Sequence, residues 1–275
     1  MRISDTEFNL LRKLVYERFG INLTEAKKSL VVSRLQKTIR SLGMRSFKQY
    51  YDYLMADTTG SALDTLINRI STNHTFFYRE SNHFEFFRSR VLPEMSSRIR
   101  TMGCRDLRIW CAGCSSGEEA YTLIIEMKEF FGSEYDLWDA GLLATDISTN
   151  ALQKAVTGEY TEDNVAHLPA YARRYFKKIS DDRYRVSDEL KREITFRRFN
   201  LMTPVFPFRK PFHVIFCRNV MIYFDQMTRS ELIRKFYQCL VPEGYLFIGH
   251  SESLGREQTL FQYIMPAVYR KKQKE

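Results

Sequence analysis

The chain has 275 residues, 44% of them hydrophobic and 27% charged, the proportions of an ordinary globular protein with room for one large domain or two modest ones. No apolar run approaches the ~20 residues that cross a bilayer, and no apolar h-region precedes the first amphipathic pattern, so a cytoplasmic protein without membrane insertion is expected. The formal charge of +9 points to an acidic partner, nucleic acid or an acidic protein surface; eleven Lys and Arg against four Asp and Glu in the first fifty residues supply +7 of it.

Residues 1–90 read as helical throughout and as one basic N-terminal domain. Phe8, Leu11, Leu14, Val15 and Phe19 recur at helical spacing up to Gly20. Thr24 opens a second helix with Val31, Leu35, Thr38, Ile39 and Leu42 on one side and Lys27, Arg34, Lys37 and Arg40 on the opposite arc. That arc is either a solvated face, the usual fate of a charge run, or a docking surface. Two further helices cover about 46–56 and 61–69.

Residues 91–275 read as a second domain, in which short apolar strands alternate with amphipathic helices. Strands are expected at 107–111, 141–145, 194–199, 212–217, 245–249 and 267–270. A capping box at Ser116 and Glu119 opens the helix 118–131, and another at Thr228 and Glu231 opens the helix to Leu240. This alternation predicts an α/β fold, a doubly wound and mostly parallel sheet. Residues 159–193 break the pattern: two short segments around Ser180-Asp181-Asp182 read as an inserted β-hairpin.

Five cysteines (104, 111, 114, 217 and 239) are an odd set for a disulfide framework. Cys111 and Cys114 form a CxxC without a second pair, which favours small side chains in a tight turn over a metal or redox site; no metal is expected.

Ligands of open α/β sheets sit at the carboxyl ends of the strands, and three such ends carry chemistry. Ala112–Glu119 is a loop with G-x-x-x-G spacing at a helix N-terminus, without the third glycine of a dinucleotide fingerprint. With Glu119 assigned to the cap, Glu118 is left to meet a cationic ligand. Asp146 closes the second strand where a carboxylate can accept hydrogen bonds from both hydroxyls of a ribose. Arg218 and Asn219 follow the central strand; Tyr223, just beyond, is either core or a hydroxyl aimed at substrate. The stretch 71–80 lies at the junction of the two domains, where pockets favour forming.

The strings TNHTFFYRE, IWCAGCSSGEEAYTL, LATDIS, CRNVMIYFD and GHSESL occur in this order, and with them the chain resembles the chemotaxis receptor methyltransferases of the CheR type over nearly its whole length. The resemblance implies transfer of a methyl group from S-adenosylmethionine to glutamate side chains on the cytoplasmic domains of bacterial chemoreceptors. It implies cofactor contacts from Asn73, Thr75, Arg79, Ala112, Glu118, Asp146, Asn200, Leu201, Arg218 and Asn219. It gives Arg79 and Tyr223 to the chemistry, and it assigns the arc of Lys27, Arg34, Lys37 and Arg40 to receptor docking. The hairpin is shorter than in relatives that grip a receptor C-terminal pentapeptide and lacks their glycine, so no such tether is expected. A monomer is expected. Other readings stay open: a nucleic-acid methyltransferase, prompted by the charge but lacking Pro-Pro-aromatic and Pro-Cys motifs, a non-catalytic adaptor that senses S-adenosylmethionine, and, more distantly, an NAD-linked oxidoreductase.

Overall fold

The computed structural model describes residues 1–254 and 260–273. The N-terminal unit is built from four helices: α1 (Asp5–Phe19), α2 (Lys28–Ser41), α3 (Phe47–Ala56) and α4 (Ser61–Ile70). Ser4 and Glu7 form the capping box of α1, and Gly20 ends it in the left-handed conformation. Phe8, Leu11, Leu35, Ile39, Phe47 and Leu66 fill its core. Residues 25–27 form a single 3₁₀ turn, so α2 starts later than the expected opening at Thr24, and Lys27 sits before the helix.

The helical segment α5 (Asn82–Phe86), a π turn and α6 (Leu92–Thr101) belongs to the second unit. Phe84, Phe87 and Val91 join the core under the sheet, where Phe87 meets Phe216 edge-on at 5.5 Å. The two cores therefore divide just after Ile70 and not at residue 90, because this apolar stripe has the sheet to cover.

The second unit continues through β1 (Ile109–Ala112), α7 (Glu118–Phe131), β2 (Leu142–Asp146) and α8 (Thr149–Thr157). The insert follows as β3 (Glu159–Thr161), α9 (Glu162–Ala166), α10 (Ala170–Arg173), β4 (Phe176–Ser180), β5 (Arg183–Val186) and α11 (Asp188–Arg192). Then come β6 (Ile194–Arg198), β7 (Phe212–Cys217), α12 (Gln226–Cys239), β8 (Leu240–Ile248), β9 (Phe261–Met265) and β10 (Val268–Lys271). The main sheet runs β6-β2-β1-β7-β8-β10-β9. Its first five strands are parallel; β10 pairs antiparallel with β8, and β9 antiparallel with β10. After β1 the chain builds outward through β2 and β6, then jumps back to β7 on the other side. The switch point between β1 and β7 opens a crevice at the strand ends.

The insert is a separate three-stranded sheet, β3-β5-β4, so the expected hairpin is present with one strand added. Asp225, not Thr228, caps α12, accepting the Thr228 N–H at 2.8 Å. β8 begins at Leu240 and carries Pro242-Glu243-Gly244 within it, longer than the strand expected. All five cysteines are free thiols, and Cys111, Cys114 and Cys217 are buried. No described helix is long and apolar enough to cross a membrane.

Candidate functional site

A cavity of about 360 Å³ lies at the carboxyl ends of β1, β2 and β7, roofed by the N-terminal unit, within the size range of small-molecule sites. Asn73, Thr75, Arg79, Asp146, Asn200, Leu201, Arg218, Asn219 and Tyr223 all line it. Residues from four separate segments thus converge on one space. Ala112, the last residue of β1, and Glu118, the first of α7, do not line it; both are buried.

The loop after β1 explains the exchange between the two acids. Gly117, with φ 99°, is the N-cap of α7 and offers no side chain to it, so the capping box expected from Ser116 and Glu119 does not form. Ser116 instead gives its hydroxyl to the Glu118 carboxylate at 2.7 Å, and burial pushes the pKa of Glu118 up against that bond. Glu119 turns to the cavity, accepting from Arg218 at 2.8 Å and from the Cys111 thiol at 3.1 Å. Burial pushes the Cys111 and Cys114 thiols well above their ordinary pKa, which keeps them protonated and inert.

Asp146 ends β2 with 8% of its surface exposed. Its two carboxylate oxygens accept the N–H groups of Ser115 and Ser148, each at 2.8 Å. Four lone-pair sites on a carboxylate leave room for two more donors. Burial raises its pKa, and these N–H bonds pull the other way.

Arg218 is the hub of the floor. Its side chain is 1% exposed and bridges Glu119 and Glu80, the latter at 3.0 Å, while donating to the Arg79 carbonyl and lying over the Phe84 ring. Asn219 follows with φ 59° and gives its side-chain amide to Glu80. Glu252 then collects the N–H groups of Asn219, Ile222 and Gly249. Sequence reasoning gives Glu119 only a capping role and does not single out Glu80 or Glu252, although each of the three stands inside one of the quoted strings. Among described residues Glu80, His83 and His250 also cluster within metal-ligand range, but Glu80 is already engaged by the Arg218 cation and the His250 N–H.

Six described residues other than glycine have left-handed backbone, and four of them, Tyr78, Glu80, Ser115 and Asn219, flank this floor. Such strain persists only where the surroundings over-determine it, and it gathers at functional sites.

The roof and the floor are tied together. Tyr16 donates to Asp225 at 2.7 Å, and Asn22 gives its N–H to the Tyr223 carbonyl at 2.8 Å. Asn200 gives its amide to the Arg18 carbonyl at 2.8 Å, so its side chain is spent on the roof. The Lys27 ammonium lies 5.4 Å from the centre of the Tyr223 ring and lines the cavity, and burial lowers its pKa. Lys27 was expected on an outer arc and is found at the mouth of the pocket. Arg34 is spent as well, holding the Ile70 and Ser71 carbonyls and the Thr72 hydroxyl, which braces the start of the 71–79 segment. Lys37 and Arg40 alone of the four remain fully exposed. Arg79 donates to the His74 carbonyl at 2.9 Å and lies against Phe76.

The donor set fits a charged nucleoside: a carboxylate for vicinal hydroxyls at Asp146, a second for an ammonium at Glu119, and Phe199, Leu201, Ile147 and Ile21 as apolar walls for a base. Residues 6–71 match the family model described as CheR methyltransferase, all-alpha domain, and residues 73–269 match CheR methyltransferase, SAM binding domain. A chemotaxis protein methyltransferase of Borreliella burgdorferi is 44% identical over 98% of this chain and 96% of its own length. The chemotaxis protein methyltransferase of Escherichia coli is 34% identical over 98% and 92%. With both of its units matched in order, the chain belongs to the CheR methyltransferase family and is an S-adenosylmethionine-dependent methyltransferase.

Proposed function

We propose that this enzyme methylates glutamate side chains on the cytoplasmic domains of chemoreceptors, forming glutamate methyl esters and S-adenosylhomocysteine. The reading is carried by one observation: a nucleoside-sized cavity is lined by carboxylates at Asp146 and Glu119 and also by the cations of Arg79 and Lys27. Acidic groups would hold the cofactor, and basic groups would meet the incoming acid.

When bound, S-adenosylmethionine supplies an electrophilic methyl carbon, whose bond to sulfur breaks with its electron pair staying on sulfur as a carboxylate oxygen bonds to carbon. A glutamate carboxylate, with a pKa of about 4.3, is already ionised at neutral pH, so no protein base is required. Asp146 takes the ribose hydroxyls, Glu119 the methionine ammonium, and Asn73, Thr75 and Leu201 complete the walls. Arg218 and Asn219 fix Glu119 and the floor. Arg79 holds the incoming carboxylate, and the Tyr223 hydroxyl donates to it. Lys27, over the Tyr223 ring, adds positive charge at the same mouth. Orientation of this kind is worth roughly 7–11 kcal/mol of barrier.

Lys37 and Arg40, exposed on α2, would receive the acidic receptor surface. The two-residue turn Asp181-Asp182 between β4 and β5 gives no added loop for a receptor tail, in keeping with an enzyme that acts without a tether. The test is transfer of tritium from labelled cofactor to a receptor cytoplasmic fragment, with RNA in parallel. Base-labile label on the receptor alone is the expected result. Label on RNA, or base-stable label on protein, would overturn the reading. Arg79→Ala should lower turnover about a hundredfold, as loss of substrate positioning does, and leave S-adenosylhomocysteine affinity within a few-fold.

A further inference from the structure

The small antiparallel sheet lies outside the cavity, yet one of its side chains reaches the loop on which the cavity depends. Tyr160, in the middle of β3, is 4% exposed and donates its hydroxyl to the Ser116 carbonyl at 2.7 Å. Ser116 is the pivot of the loop after β1. The N–H of its neighbour Ser115 orients Asp146, its own hydroxyl fixes Glu118, and the next turn of chain presents Glu119 to Arg218. The fit around the pivot is close: a Cβ on Gly117 would lie 3.1 Å from the Tyr160 oxygen and 2.9 Å from the Ala155 Cβ.

The ring of Tyr160 faces a second cofactor-side segment. Phe77 meets it edge-on at 4.8 Å and meets Phe176 of β4 at 5.2 Å. Phe77 belongs to the stretch that carries Asn73, Thr75 and Arg79, and it is 7% exposed. One step further, Tyr78 and Tyr171 of α10 share the same oxygen of Glu126 at 2.8 and 2.9 Å. The insert therefore grips both sides of the cleft, one through a hydroxyl and the other through ring contacts.

We propose that Tyr160 is a positioning residue, and that through it the small sheet sets the geometry of the cofactor loop. The role is distinct from stability alone, because a neighbouring tyrosine supplies the comparison. Tyr121, also buried, donates at the same 2.7 Å to the Ala155 carbonyl near the end of α8 and not to a carbonyl of the loop. Either substitution removes one tyrosine hydroxyl bond of the same length to a main-chain carbonyl, so both should cost similar stability. Only the first should move cofactor affinity. The inference rests on the reading of the cavity as the S-adenosylmethionine site.

The test is calorimetry with S-adenosylhomocysteine on the full chain, with Tyr160→Phe and Tyr121→Phe beside the wild type and melting temperatures measured in parallel. The expected result is a Kd raised about tenfold for Tyr160→Phe at a stoichiometry near one, with Tyr121→Phe within about twofold of the wild type. A Tyr160→Phe Kd equal to the wild type overturns the role, as does an equal weakening in Tyr121→Phe. Should Tyr160→Phe not fold, Phe77→Leu removes the ring that seats Tyr160. A smaller rise in Kd is then expected, and an unchanged Kd overturns the inference. A wild type that gives no heat sinks the cofactor reading itself, which separates the two failures.

Discussion

Replacing Arg218 with methionine tests the floor of the site directly. The guanidinium is 1% exposed and pairs with two largely buried carboxylates, Glu80 at 14% and Glu119 at 13% exposure. Deleting one member of a buried ionic cluster leaves uncompensated charge and costs about 3–5 kcal/mol. For a chain of this size each kcal/mol moves Tm by about 2–4 °C, so a fall of roughly 6–20 °C is expected. The pH dependence separates lost charge from lost packing. In the native protein, burial pushes the Glu80 pKa up, and the Arg218 charge, with hydrogen bonds from Arg218, His250 and Asn219, more than offsets this, leaving it lowered. An acid with a lowered folded pKa contributes stability above its unfolded value of about 4.3, lost as pH falls through the folded value. In Arg218→Met the Arg218 charge and hydrogen bond are gone and only the His250 and Asn219 bonds still oppose burial, so Glu80 is relieved by taking up a proton. The Tm gap between variant and wild type should be widest near pH 8 and narrow toward pH 5. Differential scanning calorimetry at the two pH values measures it. A gap below about 2 °C, or one equal at both, refutes the electrostatic account.

Asp146, whose pKa is raised by burial, should lose its acceptor role as pH falls through a value above the ordinary carboxylate one. S-adenosylhomocysteine affinity should therefore weaken on mild acidification while the fold is intact, and Asp146→Asn should bind about tenfold more weakly with a flatter profile. Gly113 has φ 89°, and a Cβ there would collide with Val220. Gly113→Ala should lower Tm and cofactor affinity together, and wild-type values for both would contradict the close approach. Charge reversal at Lys37 and Arg40 should slow receptor methylation and flatten its dependence on salt without changing cofactor affinity; an unaltered initial rate at low salt would remove the docking face.

How far the sequence disclosed this site depends on the range of the forces involved. β7 is bounded correctly at Phe212–Cys217 because six mostly apolar residues in a row give way abruptly to Arg218, a signal that lies wholly within the segment. β3 has three residues and β9 buries only Phe261 fully, so neither carries a period to read. The glutamate pair shows the limit most sharply. Local capping rules favour Glu119 as the structural acid, yet its position is decided by a cation 99 residues away. Arg34 and Lys27 were grouped by helical angle alone, and tertiary contacts sent one to the end of α4 and the other to the cavity. Asn73, Thr75 and Arg79, which line the cavity, are pointed to by an ordered set of strings, whereas Asp146 is pointed to by its own place at the end of a strand.

A reaction whose nucleophile arrives already ionised leaves a protein little to do except hold things still, and the structure spends its costly features on holding. A misplacement of about 1 Å costs roughly a hundredfold in such a step. Backbone strain at Tyr78, Glu80, Ser115 and Asn219 is compensated by buried ionic and hydrogen-bonded contacts to neighbouring segments: Glu126 for Tyr78, Arg218 for Glu80, Asp146 for Ser115 and Glu252 for Asn219. Each of these partners is itself largely buried. Two tiers of residues follow. Those proposed to meet the reactants, Arg79 and Tyr223, stay partly exposed, and their exchange should leave the chain folded. Those behind them, Arg218, Glu126 and Glu252, combine geometry with stability, so their substitution should lower Tm and affinity in step. The ratio of lost affinity to lost Tm across a set of variants would rank every residue of the site on this scale, and a flat ratio would mean that support and chemistry are not separated in this fold.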